Sequence, residues 1–162
     1  MLGNFGNSLN NRARLADGRG MRIFALLALW FLSHGPSVAD LDGERVALRT
    51  FLDALAVVES GQRDDATGDG GRAIGRLQLW RAYWSDAIEH APDIGGSYDD
   101  CRTAEYAERV AVAYWRRYCP KALAARDYEI LARVHNGGPR GHKNKATQAY
   151  WRKVDREMSK KK

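Results

Sequence analysis

The sequence predicts a mainly α single domain, and three observations carry that prediction. Apolar residues recur at spacings of three and four through much of the chain. Strand signals are confined to a few positions from Ala73 to Leu79. The 162 residues are enough for one core and contain no repeat at solenoid spacing.

The first helix is expected over 41–58, where Leu48, Phe51, Leu52, Leu55 and Val58 fall on one face. Glu59 then sits in its last turn, and Gly61 is a natural stop. Residues 62–72 form a polar, glycine-punctuated loop, and 73–79 supply at most a short hairpin piece. A short helix is expected over 81–90, with Tyr83, Trp84 and Ile88 apolar. A second loop covers 92–100. The longest helix is expected over 101–118, capped by Asp99 or Asp100 and ended by Pro120. Its inward residues are Ala107, Val110, Ala111 and Tyr114. Asp127 begins a short helix over 128–134, stopped at 136–138, and a last helix spans 145–158 with Tyr150, Trp151 and Val154.

Residues 1–20 show no apolar period and suggest an over-extended start, with Met21 as the true one. Residues 21–39 have the build of a signal peptide. Arg22 is followed by ten apolar residues, then Gly35-Pro36 and the small residues Ser37, Val38 and Ala39. The apolar run is too short for a membrane span. Cleavage there leaves residues 40–162 as the catalytic domain. Loss of four Arg and one Asp lowers the net charge from +6 to +3. That mild surplus suits an anionic cell-envelope polymer, not nucleic acid. Cys101 and Cys119 would lie roughly 27 Å apart if one helix held both, so free thiols are expected.

Several motifs fail on context. Gly68 to Ala73 matches a loose dinucleotide pattern, but no strand or βαβ unit surrounds it. The histidines have no cysteine cluster beside them, so neither a metal nor a cofactor is expected.

The carboxylates are more informative. Glycoside hydrolysis requires one carboxyl that donates a proton and another that stays ionised. Val57 and Val58 beside Glu59, and the negative end of its helix, favour a neutral acid there. Asp69 lies among Gly68, Gly70 and Gly71, where backbone N–H groups and water support an anion. Asp64 and Asp65 compete with Asp69 for the second role.

Three stretches carry a resemblance. Glu59-Ser60-Gly61, the run IGRLQL from Ile74, and Tyr83-Trp84 with Asp86 resemble the catalytic half of invertebrate-type lysozymes, the destabilase family. The segment ARVHNGGPRG from Ala132, followed by Thr147 and YWRKV from Tyr150, is similar to that family's most distinctive part. The resemblance implies a lysozyme-like fold with a short hairpin or loop after the catalytic Glu. It also implies a hydrolase that cuts the β-1,4 bond after N-acetylmuramic acid in peptidoglycan, and it puts the catalytic pair on Glu59 and Asp69. Retention and a monomer are expected, and the signal-peptide-like segment predicts secretion or periplasmic export. Substrate contacts are expected from Gln78, Tyr83, Trp84, His135, Asn136 and Gly137. Family members are cysteine-rich, whereas this chain has two cysteines, like a bacterial relative. Isopeptidase-active members carry a Ser and a Lys where this chain has Ala73 and Trp80, so that activity is not expected. Two alternatives stay open: a lytic transglycosylase that uses Glu59 alone, and a non-catalytic glycan-binding protein.

Overall fold

The computed structural model describes residues 38–160. The suggested early start and the leader-like segment up to Ser37 lie outside them. The chain divides after Leu41, and the fold described here is that of the unit from Asp42 onward.

Helix α1, Val38–Ser60, ends in a left-handed turn at Gly61 and Gln62, with φ of 66° and 65°. The Gly61 and Gln62 amides donate back to the Val57 and Ala56 carbonyls, both at 3.0 Å, and so close the last turn. This places Glu59 at a rigid helix end. Ser60 secures the exit. Its hydroxyl donates to the Arg76 carbonyl at 2.9 Å and accepts from the Arg63 amide at 3.0 Å.

The expected hairpin piece is a three-stranded antiparallel sheet of two-residue strands. These are β1 (Thr67–Gly68), β2 (Ala73–Ile74) and β3 (Leu79–Trp80). Sheets this small need outside support. The Tyr98 hydroxyl shares its proton between the Arg72 and Leu79 carbonyls, at 2.8 and 2.7 Å. Gly75, at φ 73°, lets the turn approach the backbone of Cys101, where an added Cβ would lie 2.1 Å from a carbonyl oxygen.

Helix α2 is Arg81–His90, as expected. The longest expected helix begins later than its periodicity suggests. Residues Tyr98–Arg102 form a 3-10 turn with its own capping box, in which Ser97 and Asp100 bond reciprocally. Asp100 is therefore consumed by that turn. Helix α3 starts at Ala104 and runs to Tyr118. Pro120 ends one helix and opens another, α4 (Pro120–Ala125), because proline is tolerated at a first helical position. Helix α5, Tyr128–Gly137, is capped by Asp127, whose side chain accepts from the Ile130 amide. It runs three residues past the expected Val134 and stops at Gly138, φ 75°. Helix α6 is Thr147–Ser159.

The core forms where these helices meet around α3. Trp115 is fully buried, and its indole donates to the Leu131 carbonyl of α5 at 3.1 Å. Phe51 of α1 stacks on Tyr128 with centroids 4.7 Å apart and lies 5.6 Å from Trp115. Cys101 and Cys119 are both buried and free. Among the described residues, no helix is long and apolar enough to cross a membrane.

Candidate active site

The end of α1, the small sheet, α2 and the end of α5 enclose a cleft of about 620 Å³. Glu59 and Asp69 both line it. Each is held by a different device.

The Glu59 side chain is 18% exposed. The Tyr150 hydroxyl, brought by α6 from 91 positions away, donates to Glu59 Oε1 at 2.6 Å. Burial first, and then the neighbouring Glu59 charge, push the Tyr150 phenol well above its ordinary value, so it stays a donor. That bond engages Oε1 and not Oε2. His135 Nε2 lies 3.6 Å from the same Oε1. That nitrogen is also 3.1 Å from the Leu77 carbonyl, which only accepts, so Nε2 bears the hydrogen. His135 Nδ1 then accepts from the Tyr83 hydroxyl at 3.3 Å. Burial lowers the basicity of this imidazole against the opposing pull of Glu59, consistent with a neutral ring.

Asp69 sits on a strained support. Its φ is 49°, left-handed and uncommon outside glycine. The Trp80 indole N–H donates to Asp69 Oδ2 at 3.0 Å, and Arg72 Nε donates to the Asp69 carbonyl at 3.0 Å. Gln78 is a second left-handed residue on the cleft, at φ 47°, and its Nε2 donates to the Gly75 carbonyl at 2.8 Å. Its Oε1 fits only because Gly68 has no side chain, since a Cβ there would be 2.2 Å away.

Asp64 and Asp65 do not line the cleft. Asp64 faces Arg76, whose Nε lies 3.2 Å from Oδ1 in a charge contact without hydrogen-bond alignment. Arg76 also reaches Glu108 of α3 at 3.7 Å, and Arg49 of α1 bonds Glu108. Burial raises the pKa of Glu108 against the pull of Arg49 and Arg76. This network ties the sheet turn to two helices, away from the carboxyl pair.

Of the expected wall residues, Gln78, Tyr83, His135 and Asn136 line the cleft. Tyr83 is largely buried and stacked on Tyr114, with centroids 3.6 Å apart, so mainly its edge is available. Two expectations need correction. Trp84 is not among the lining residues. Its indole donates to the Tyr106 hydroxyl at 3.0 Å, and its ring packs near Tyr98. Gly137 is also absent from the wall. A Cβ on it would meet Thr147 Cγ2 at 2.7 Å, so it serves α5–α6 packing.

Trp80, Asp86 and Tyr150 were not expected at the site. Asp86 lines the cleft and accepts from the Tyr118 hydroxyl at 2.8 Å. Trp80 carried a signal, a large aromatic just after the family-like run IGRLQL. Tyr150 stood in the family-like segment, but its bond to Glu59 carried no signal, because the partner is remote in sequence. Among the described residues, no cluster of His, Cys, Asp and Glu is arranged to hold a metal.

A helix-end Glu and a loop Asp facing one cleft, with a minimal sheet between helices, define a lysozyme-like domain. The fold matches a Meretrix lusoria lysozyme solved in complex with Aeromonas hydrophila PliI. The TM-score is 0.55 at 31% identity, over 66% of this chain and 87% of that one. The chain belongs to the Destabilase family, whose model matches residues 49–157. It is 37% identical to lysozyme 1 of Crassostrea virginica, over 64% of this chain and 55% of that protein. It is 32% identical to the Meretrix lusoria lysozyme, over 65% of this chain and 85% of that protein. The chain thus spans about half the length of the oyster protein it matches.

Proposed function

We propose that this protein is a lysozyme that hydrolyses the β-1,4 bond between N-acetylmuramic acid and N-acetylglucosamine in peptidoglycan. The observation that carries this reading is Glu59, half-buried at a helix end, with Oε1 held by Tyr150 and Asp69 on the same cleft. Lysozymes among its relatives support it.

Glu59 donates the proton on Oε2 to the glycosidic oxygen, and the bond to the anomeric carbon breaks. Asp69, kept in place by the Trp80 indole, attacks that carbon or stabilises the oxocarbenium ion. Glu59, now a carboxylate, takes a proton from water, and the resulting hydroxyl displaces the Asp69 carboxylate from the anomeric carbon, or traps the ion, with retention. Nothing in these steps draws on a metal or cofactor. The leader-like residues 21–39 suit delivery to a cell wall, inside the periplasm or outside the cell.

The test is release of reducing ends from purified peptidoglycan. Glu59→Gln is expected to lower the rate by about 10²- to 10⁴-fold, the usual worth of a positioned acid. Equal rates for mutant and wild type would sink the assignment. Anhydro-muramic ends in the product would instead make the protein a transglycosylase. Glycan binding without turnover would make it a binding protein.

A further inference from the structure

Trp80 is placed as a packing residue would not be, and its meaning rests on the reading of the cleft as a glycan site. Among the described residues, only Val46 and Trp80 are large apolar side chains left exposed, and of these Trp80 alone lines the cleft. It is 41% exposed, whereas Trp115 is fully buried and Trp84 is bonded to Tyr106. Water contact with so large an apolar surface is unfavourable, so packing does not account for this placement.

The ring is also fixed. Trp80 ends β3, paired with Ala73, and its backbone opens α2. Its N–H edge is tied to Asp69 Oδ2 at 3.0 Å. The Arg72 guanidinium lies over the ring, 4.7 Å from the centroid, and Arg72 Nε donates to the Asp69 carbonyl. Asp69, Arg72 and Trp80 therefore hold one another in a closed triangle. With its edge fixed and one face covered by Arg72, which does not line the cleft, the indole has its other face left for a ligand. That face is the negative side of the ring quadrupole, and it suits the C–H face of a pyranose. A pre-set platform also spares the ordering cost of a mobile side chain.

We propose that Trp80 forms a saccharide subsite beside the reacting bond, and that the same indole positions Asp69 through its N–H. Sugar occupancy and the placement of Asp69 are then linked through one side chain. The ring and the N–H are separable by mutation. Trp80→Phe keeps a stacking face and loses the donor, while Trp80→Ala loses both.

Binding is measured in the Glu59→Gln background, by calorimetry and by tryptophan emission, with a tetramer of β-1,4-linked N-acetylglucosamine. Turnover is measured on peptidoglycan with Glu59 intact. Trp80→Ala is expected to weaken tetramer binding by about tenfold or more, and Trp80→Phe by about threefold or less. Both are expected to lower kcat, because both release Asp69. In the parent, the tetramer should blue-shift the emission, and Trp80→Phe should abolish that shift. Unchanged tetramer binding in Trp80→Ala would overturn the proposal, as would full kcat in Trp80→Phe. If the wild type cleaves peptidoglycan while either of those results is found, only this inference fails. If the wild type neither binds nor cleaves, the glycan reading fails and takes the subsite with it.

Discussion

Glu59 has no charged group from its own helix to orient it. Its orientation comes from Tyr150, 91 residues downstream. A hydrogen bond of 2.6 Å to one carboxyl oxygen does more than stabilise. In the proposed reaction it fixes which oxygen would face the leaving group, and misplacement of a reacting atom is costly in rate. Tyr150→Phe keeps the packing and removes only the hydroxyl. The expected result is a fall in kcat of about tenfold to a hundredfold with KM nearly unchanged. Steady-state kinetics on soluble peptidoglycan fragments check this. A raised KM at constant kcat would show that Tyr150 serves binding instead. The placement of Glu59 at a helix end and of Asp69 in a loop was legible, because apolar neighbours and a glycine-rich stretch are local signals. Tyr150 was illegible, because its role arises only when α6 folds back onto the end of α1. Trp84 misled for a related reason. An aromatic at helical spacing looks alike whether it faces a cleft or a neighbouring tyrosine.

At the scale of elements, the segment from His135 to Gly141 joins site and scaffold. His135 and Asn136 reach the cleft from the last turns of α5, and Gly138 turns the chain out of the helix. Gly141 then returns against α5 so closely that a Cβ would lie 1.9 Å from the Arg133 carbonyl oxygen. Thr147, nearly buried at the start of α6, finishes the joint. It accepts from Arg133 Nε at 3.0 Å, and its hydroxyl lies 2.8 Å from the Gly141 carbonyl. Gly141→Ala is expected to cost about 1–3 kcal/mol, the usual penalty for overpacking a rigid contact. Gly43→Ala is the contrast. Nothing lies within 4 Å of its Cβ position in α1, so the gain in helix propensity is expected to leave stability equal or higher. Denaturant midpoints of the two variants decide it, and a harmless Gly141→Ala would refute the close-approach account. The glycines were visible in the sequence, and their helix-stopping role was partly legible. The close approach was not, since a sequence shows no distance between Gly141 and Arg133. The later start of α3 has a similar cause: apolar period continues through Cys101, but the Ser97–Asp100 box closes a separate turn there.

The unit from Asp42 onward stands on one core without a crosslink. Relatives of this type were expected to be disulfide-rich, and the two cysteines here are buried and unpaired. Cys101 is packed beneath the Gly75 turn, and burial pushes its thiol up to about 12. Cys119 lies at the junction of α3 and α4, and burial pushes its thiol up to about 11. Thiolates, not thiols, attack disulfide reagents, so both groups are inert while the fold is intact. Stability must then come from apolar burial around Trp115, Phe51 and Leu55, together with the buried hydrogen bonds of Arg133 and Thr147. Two outcomes follow for one protein sample. Dithiothreitol should leave Tm unchanged, because it has no structural bond to reduce. An aromatic disulfide reagent at about pH 8, below both raised values and the ordinary thiol range, should label the folded chain slowly and both cysteines at once in denaturant. A Tm that drops in reductant, or rapid labelling of the native protein, would contradict a core held by packing alone.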